Sequence, residues 1–266
     1  MNNADAIRLF SDYMKVTGTP SLAFEESSVP ALQGKKLGII NGSSWVSLWS
    51  SWFGRKHLPG VKLVNVGNEA VQLNFMAAHS RNEPCPPEMN VACFCRYAKD
   101  LYDLYGVDAI MISCSTMNRA YASVSETMRP YGVPVIQIDE AMMEMVAARG
   151  GHILVIATHG PTVASTQALL RETAERMGSC MTFSGATVEK AFDLLGQGRV
   201  MEHNELIADT IRKALSEEKA DAVVLAQLSM SVFSFSFPDP VREFGVPVYN
   251  SGDTGFAKAA EVLKNI

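Results

Sequence analysis

The sequence predicts an α/β protein made of two pseudo-symmetric, doubly wound parallel-sheet lobes, with the active site in the cleft between them. Three observations lead to this fold class. The run Asp108 to Met117 (Asp-Ala-Ile-Met-Ile-Ser-Cys-Ser-Thr-Met) is echoed by Asp221 to Met230 (Asp-Ala-Val-Val-Leu-Ala-Gln-Leu-Ser-Met). Downstream, Arg129 to Val135 (Arg-Pro-Tyr-Gly-Val-Pro-Val) is echoed by Arg242 to Val248 (Arg-Glu-Phe-Gly-Val-Pro-Val) at the same separation. Two blocks in one register indicate a duplicated unit. The third observation is that each block opens on a short, continuous apolar run bounded by polar, Gly or Pro residues, the pattern of a strand buried on both faces of a parallel sheet.

Taken in order, strands are expected at Leu37 to Asn41, Val61 to Val66, Ala109 to Ser113 and Val133 to Ile138. A second set follows at Ile153 to Ala157, Met181 to Ser184, Ala222 to Ala226 and Val246 to Tyr249. Helical periodicity fills most gaps, notably Glu88 to Tyr105, Pro161 to Met177, Glu202 to Glu217 and Asp253 to Lys264. This alternation is the sequence signature of α/β lobes. It divides the chain into residues 36–139 with 251–266 as the first lobe and 140–250 as the second. Residues 1–35 stand outside the duplication and read as an arm, amphipathic from Ala6 to Lys15, that packs on the body or on a second subunit. The stretch from Gly67 to Pro87 shows no clear period and holds Asn82, Pro84, Pro86 and Pro87, so it reads as a long loop of the kind that forms lids.

Bulk properties narrow the function classes. With 266 residues and 47% hydrophobic content, the chain can bury one large core or two smaller ones. A formal net charge of -5 and the lack of any Lys/Arg-rich run give no footprint for nucleic acid or for an anionic membrane surface. No apolar run approaches membrane-spanning length, and Met-Asn-Asn-Ala-Asp-Ala lacks the start of a secretory signal; a cytoplasmic protein is expected. Five cysteines, Cys85, Cys93, Cys95, Cys114 and Cys180, fit reduced thiols better than a disulfide framework.

Chemistry is expected beyond the carboxyl ends of the strands, where amides of the following helix face a ligand. Cys114 lies at such an end, where those amides favour its thiolate, the form that acts as base or nucleophile. From its placement alone it also reads as a half-buried structural cysteine. The other strand ends carry small hydroxyl, amide and glycine residues: Asn41, Gly42, Ser43 and Ser44, then Ser115 and Thr116, then Thr158, His159, Gly160 and Thr162, with Ser165 one turn further and Ser229 after Gln227. Such groups can hold a carboxylate with neutral hydrogen bonds and helix-end amides, although Ser, Thr and Asn also serve as ordinary helix caps.

The run Ile112-Ser113-Cys114-Ser115-Thr116 resembles the first cysteine motif of the aspartate/glutamate/hydantoin racemase superfamily, usually Cys-Asn-Thr. Val155 to Thr158, with Thr162 and Ser165, is similar to the strand and Thr-bearing turn that open that family's second lobe, and Asp221 to Met230 falls where its second cysteine motif belongs. The resemblance spans roughly residues 36–266. It implies a small carboxylate or cyclic amide substrate and no cofactor or metal, with a homo-oligomer as the expected assembly. Two cysteines of those racemases flank the substrate carbon. The resemblance makes Cys114 one acid/base, places Asn41, Ser115, Thr116 and Thr158 on the carboxylate, and puts Gln227 where the second cysteine belongs.

An amide exchanges no proton near neutral pH, so Gln227 cannot be a second base. Three enzymatic solutions follow. His159 could supply the missing base; Cys114 could act alone, as in the arylmalonate decarboxylases of the same superfamily; or its thiolate could add to a double bond, similar to maleate isomerases, with Gln227 orienting the substrate. A carboxylate-binding regulatory protein is the alternative outside catalysis. Cys85, Cys93 and Cys95 with His79 lack the paired spacing of a zinc site, and no Gly-rich nucleotide loop follows the first strand. Met142, Met143 and Met145 read as core or interface, and Trp45, Trp49 and Trp52 as packing residues on a helix.

Overall fold

The computed structural model describes residues 3–17 and 27–266. The chain divides into two compact units, Met1–Ile138 with Phe256–Ile266, and Asp139–Gly255. The first holds α1 (Asn3–Thr17), β1 (Lys36–Asn41), α2 (Ser47–His57), β2 (Lys62–Gly67), α3 (Glu69–Ser80), α4 (Glu88–Tyr105), β3 (Ala109–Ile112), α5 (Tyr121–Met128) and β4 (Val135–Gln137). The second holds α6 (Glu140–Arg149), β5 (Gly151–Ala157), α7 (Gly160–Met177), β6 (Met181–Thr187), α8 (Glu189–Gly196), α9 (Val200–Glu217), β7 (Ala222–Leu225), α10 (Phe233–Ser236), α11 (Pro240–Phe244) and β8 (Val248–Asn250). Helix α12 (Ser251–Lys264) starts in the second unit and ends in the first.

Each unit has a four-stranded parallel sheet, in the order β2-β1-β3-β4 and β6-β5-β7-β8. The two orders are the same topology written twice, as the echoes in the sequence require. In the first unit Ile40, Ile110 and Ile112 pack under Phe94, Ala98 and Leu101 of α4 and Val124 and Met128 of α5. In the second, alternate strand residues serve opposite faces. Leu154, Ile156, Val223 and Leu225 meet Ala191 of α8 and Ile207, Ala208 and Ile211 of α9. Ile153, Val155, Val224 and Ala226 meet Met142, Met143 and Val146 of α6 and Leu170 of α7. Burial on both faces accounts for the unbroken apolar runs.

Several expectations need correction. The supposed loop from Gly67 to Pro87 is mostly α3, capped where the Asn68 side chain accepts from Ala70 N–H at 2.9 Å. Its apolar residues ring the helix instead of lining one stripe, and Leu73 and Met76 stay exposed, so the helical period was hidden. Trp45 lies in a short 3-10 turn before α2, edge-on to Trp49 at 5.2 Å. Met142 and Met143 are core, but Met145 is exposed on the same helix. The segment expected to be an arm forms α1 and then passes through residues 18–26, which lie outside the described residues. Among the described residues no helix is long and apolar enough to cross a membrane.

Candidate active site

In each sheet the chain leaves the two central strands in opposite directions, so the carboxyl ends of β1 and β3, and of β5 and β7, are topological switch points where α/β proteins bind ligands. The register defines what stands there. Ile40 pairs with Ile112, so Gly42 and Cys114 are each two residues past that pair; Ile156 pairs with Leu225, so Thr158 and Gln227 hold the matching places in the second unit.

In the first unit the thiol rests against the backbone of Gly42. A β-carbon built on Gly42 would come within 2.5 Å of Cys114 Sγ, closer than any side chain tolerates. Sγ lies 3.1 Å from Thr116 Oγ1, in the 3-10 turn Ser115–Ala120, and Cys114 remains half-exposed while Ser115 is buried. Asn41 is fully buried. Its amide donates to Asn65 Oδ1 at 3.1 Å and to the Val66 carbonyl at 3.2 Å, and its oxygen accepts from Ser50 and Ser113 hydroxyls, each at 2.6 Å. Both N–H bonds are thereby committed. Asn41 ties β1 to β2, α2 and the residue before Cys114; it braces the site and presents no donor of its own to a carboxylate.

Helix α3 clasps the turn after β1. The Ser43 hydroxyl bonds Gln72 Oε1, and Ser44 donates to Glu69 Oε1 from its hydroxyl and, at 3.1 Å, from its N–H. The Ser44 hydroxyl, helped by nearby backbone N–H groups, holds the Glu69 carboxyl below the usual carboxylate range. Gly67 completes the fit, since a β-carbon there would lie 2.7 Å from the Ser43 carbonyl oxygen.

In the second unit Thr158 donates twice to Gln227 Oε1, from its backbone N–H at 2.7 Å and its hydroxyl at 2.9 Å, and both residues are buried. The His159 ring packs on Phe192 of α8 with centroids 4.5 Å apart. Burial lowers its pKa and outweighs the opposite pull of Glu189 and Asp193. Gly160 begins α7, Thr162 Oγ1 is buried with no hydrogen-bond partner among the described residues, and Ser165 lies half-buried a turn further on. Ser229 is buried in the 3-10 turn Leu228–Val232. That turn is tied down at both its neighbours: Asn204 of α9 donates to the Val232 carbonyl at 3.0 Å, and Ser231 Oγ accepts from Gly252 N–H at 3.0 Å.

The structure thus joins Gly42, Cys114 and Thr116 in one unit and Thr158 and Gln227 in the other. Sequence reading missed the supporting set: Ser50, Ser113, Asn65, Glu69 and Gln72 around the thiol, and Asn204 and Ser231 behind Gln227. Their signals were weak, because single polar residues within helices and strands look like surface positions until the chain is folded. Among the described residues no group of three or more His, Cys, Asp and Glu side chains is placed to hold a metal ion.

Residues 91–259 match the family model described as Asp/Glu/Hydantoin racemase, over more than half of the chain. The chain belongs to that family. The matched region includes Cys114, Thr158 and Gln227 and leaves β1, β2 and α3 outside it. No curated protein matches. Solved structures share the fold of this family member. A glutamate racemase from Francisella tularensis in complex with D-glutamate superposes with a TM-score of 0.63 at 14% identity, covering 87% of this chain and 82% of that one. An aspartate racemase from Picrophilus torridus gives 0.60 at 17%, covering 88% and 100%. An allantoin racemase from Klebsiella pneumoniae gives 0.55 at 20%, covering 86% and 87%.

Proposed function

We propose that this racemase-family member is a cofactor-independent enzyme that acts on a small carboxylate or cyclic amide through the Cys114 thiol alone. The observation that carries the reading is the inequality of the two switch points. A thiol seated on Gly42 can take up and release a proton at a substrate carbon, whereas the amide of Gln227 at the matching place cannot. The similar solved proteins are named as racemases of glutamate, aspartate and allantoin, which suggests amino acid or cyclic amide substrates. A single acid/base favours a reaction that needs a proton on one face only.

Decarboxylation fits that demand and is the second reading. Loss of carbon dioxide from the reacting carbon leaves the electron pair of the broken bond on it. Cys114 S–H then delivers the proton to that carbon, and the thiolate regains a proton from water. His159 is a weaker candidate for a second base, since its ring is packed on Phe192 and burial disfavours its protonated form.

Cys114→Ala tests the shared core of both readings. Turnover of a responsive substrate should fall by about 10³-fold or more with the melting temperature unchanged, and full activity in this variant would overturn the proposal. Reaction in deuterated water separates the branches. One-face labelling or carbon dioxide release is expected; a racemised product labelled from both faces would instead require a second base.

A further inference from the structure

Gln227 supports an inference that depends on the second unit alone. The Thr158 backbone N–H can only donate, so the atom facing it at 2.7 Å must be the amide oxygen, which removes the usual ambiguity between amide oxygen and nitrogen. The Thr158 hydroxyl reinforces the same orientation at 2.9 Å. The acceptor end of Gln227 is therefore used up, and the two N–H bonds of Nε2 go unclaimed by any described residue. The residue keeps 8% of its surface exposed. An amide anchored by its oxygen, with both donors unspent, is arranged to meet an acceptor.

A second observation lies one turn away in sequence. Thr162, 2% exposed, keeps a hydroxyl with no hydrogen-bond partner among the described residues. It sits on the first turn of α7, an 18-residue helix, whose N-terminal dipole end favours negative charge. Both features suit an oxygen acceptor beyond the carboxyl end of β5.

We propose that Gln227 is a specificity-determining donor: the place that bears an acid/base in a two-thiol racemase here holds a carboxylate or carbonyl oxygen of the ligand, and it excludes groups that can only donate, such as an ammonium. This rests on the reading that the ligand is a small carboxylate, and it states which oxygen chemistry the second unit selects.

Malonate serves as the probe, titrated calorimetrically into the full chain with Cys114 intact and into Cys114→Ala. Gln227→Glu keeps an oxygen for Thr158 but puts a second, anionic oxygen where the donors were. At pH 7.5 it should weaken malonate by roughly 10- to 100-fold relative to the wild type. At pH 5 most of that loss should be recovered, because the introduced carboxyl, its pKa raised by burial, gains an O–H donor. Gln227→Met, of similar length, should lose affinity equally at both pH values, and circular dichroism melts establish that each variant is folded. If Gln227→Glu fails to fold, Thr158→Val replaces it: with one anchor gone, malonate affinity should fall without pH-dependent recovery. Wild-type affinity in Gln227→Glu at pH 7.5, equal losses at both pH values, undiminished affinity in Thr158→Val, or no saturable malonate binding by the wild type would overturn the proposal. Turnover by Cys114→Ala is a separate readout, so the thiol reading can fall while the titrations still decide the role of Gln227.

Discussion

At the switch point of the first sheet a glycine makes room for a thiol; at that of the second a threonine takes hold of an amide. The strands beneath are alike in order and register, so the difference lies in one pair of residues on each side. Gly42 contributes by lacking a side chain and leaves Cys114 half-exposed, its sulfur 3.1 Å from the Thr116 hydroxyl. Thr158 contributes two donors and fixes Gln227 in one orientation. Duplication supplied two equivalent places, and their occupants have separated into a half-exposed thiol and an anchored amide. A pair of equal acid/bases is what symmetric proton exchange needs, and this chain does not have it at the duplicated positions.

The largest effect after removal of the thiol itself should come from filling the gap beneath it. Gly42→Ala puts a methyl group within 2.5 Å of Sγ, so Cys114 must shift by something near an ångström. Displacements of that size cost on the order of 10²-fold in turnover. Steady-state kinetics should show the loss mainly in kcat, with a melting temperature close to that of the wild type; unchanged kinetics would mean that the seat of the thiol is irrelevant to its chemistry. The reciprocal change, Gln227→Cys, puts a thiol at both places. It is expected to introduce label from deuterated water on the second face of the product, at a rate below that of the native reaction because Thr158 no longer anchors the side chain.

The contrast between the two ends was legible in the sequence only in part. Cys114 and Gln227 could be aligned because the echoes around them share one register, and the strands could be found because burial on both faces leaves unbroken apolar runs. Gly42 appeared in the sequence as one more small residue near a turn; that the Cys114 sulfur lies too close for any side chain there depends on the β1 to β3 register and is invisible along the chain. Asn41 was expected to face a ligand, yet Ser50 and Ser113, nine and seventy-two residues away, take its oxygen. Helix α3 escaped because its apolar residues do not form a stripe, and with it went the clasp of Glu69 and Gln72 on the turn after β1.

Next in size is the brace beneath the thiol. Ser113→Ala leaves Asn41 with one donor fewer in a fully buried setting, which should cost about 1–3 kcal/mol of stability. The second unit has no equivalent, because Ala226 stands at the matching place before Gln227. Thermal melts of Ser113→Ala should therefore drop by several degrees. Ala226→Ser, placing a hydroxyl in the apolar cluster around Met142 and Val224, should also destabilise, by desolvation rather than by a lost bond. Stabilisation by either change would contradict the division into a braced end and an apolar one.

The smallest effect separates the units by pH. Asn90 of α4 and His203 of α9 stand at matching places, at the separation that relates Asp108 to Asp221. Asn90 bonds Asn74 and the Val71 carbonyl. His203, fully buried, meets Asn204 Oδ1 through Nδ1 at 2.8 Å, and its Nε2 has no partner among the described residues. Asn204 uses its nitrogen on Val232 and Ser236, so its oxygen faces the ring and Nδ1 carries the proton. Burial lowers the pKa of His203, against a weaker opposing pull from that bond; His159 shifts the same way. A depressed histidine favours folding while it is neutral. Its contribution is intact above the unfolded pKa of about 6.5 and is lost as pH falls below that value toward the folded one, because the unfolded chain then binds the proton more readily. The melting temperature should fall by roughly 2–4 °C between pH 7.5 and 5.5 from this source. His203→Asn, which copies the residue of the first unit, should flatten that part of the pH profile, and a profile as steep as the wild type's would place the acid sensitivity elsewhere.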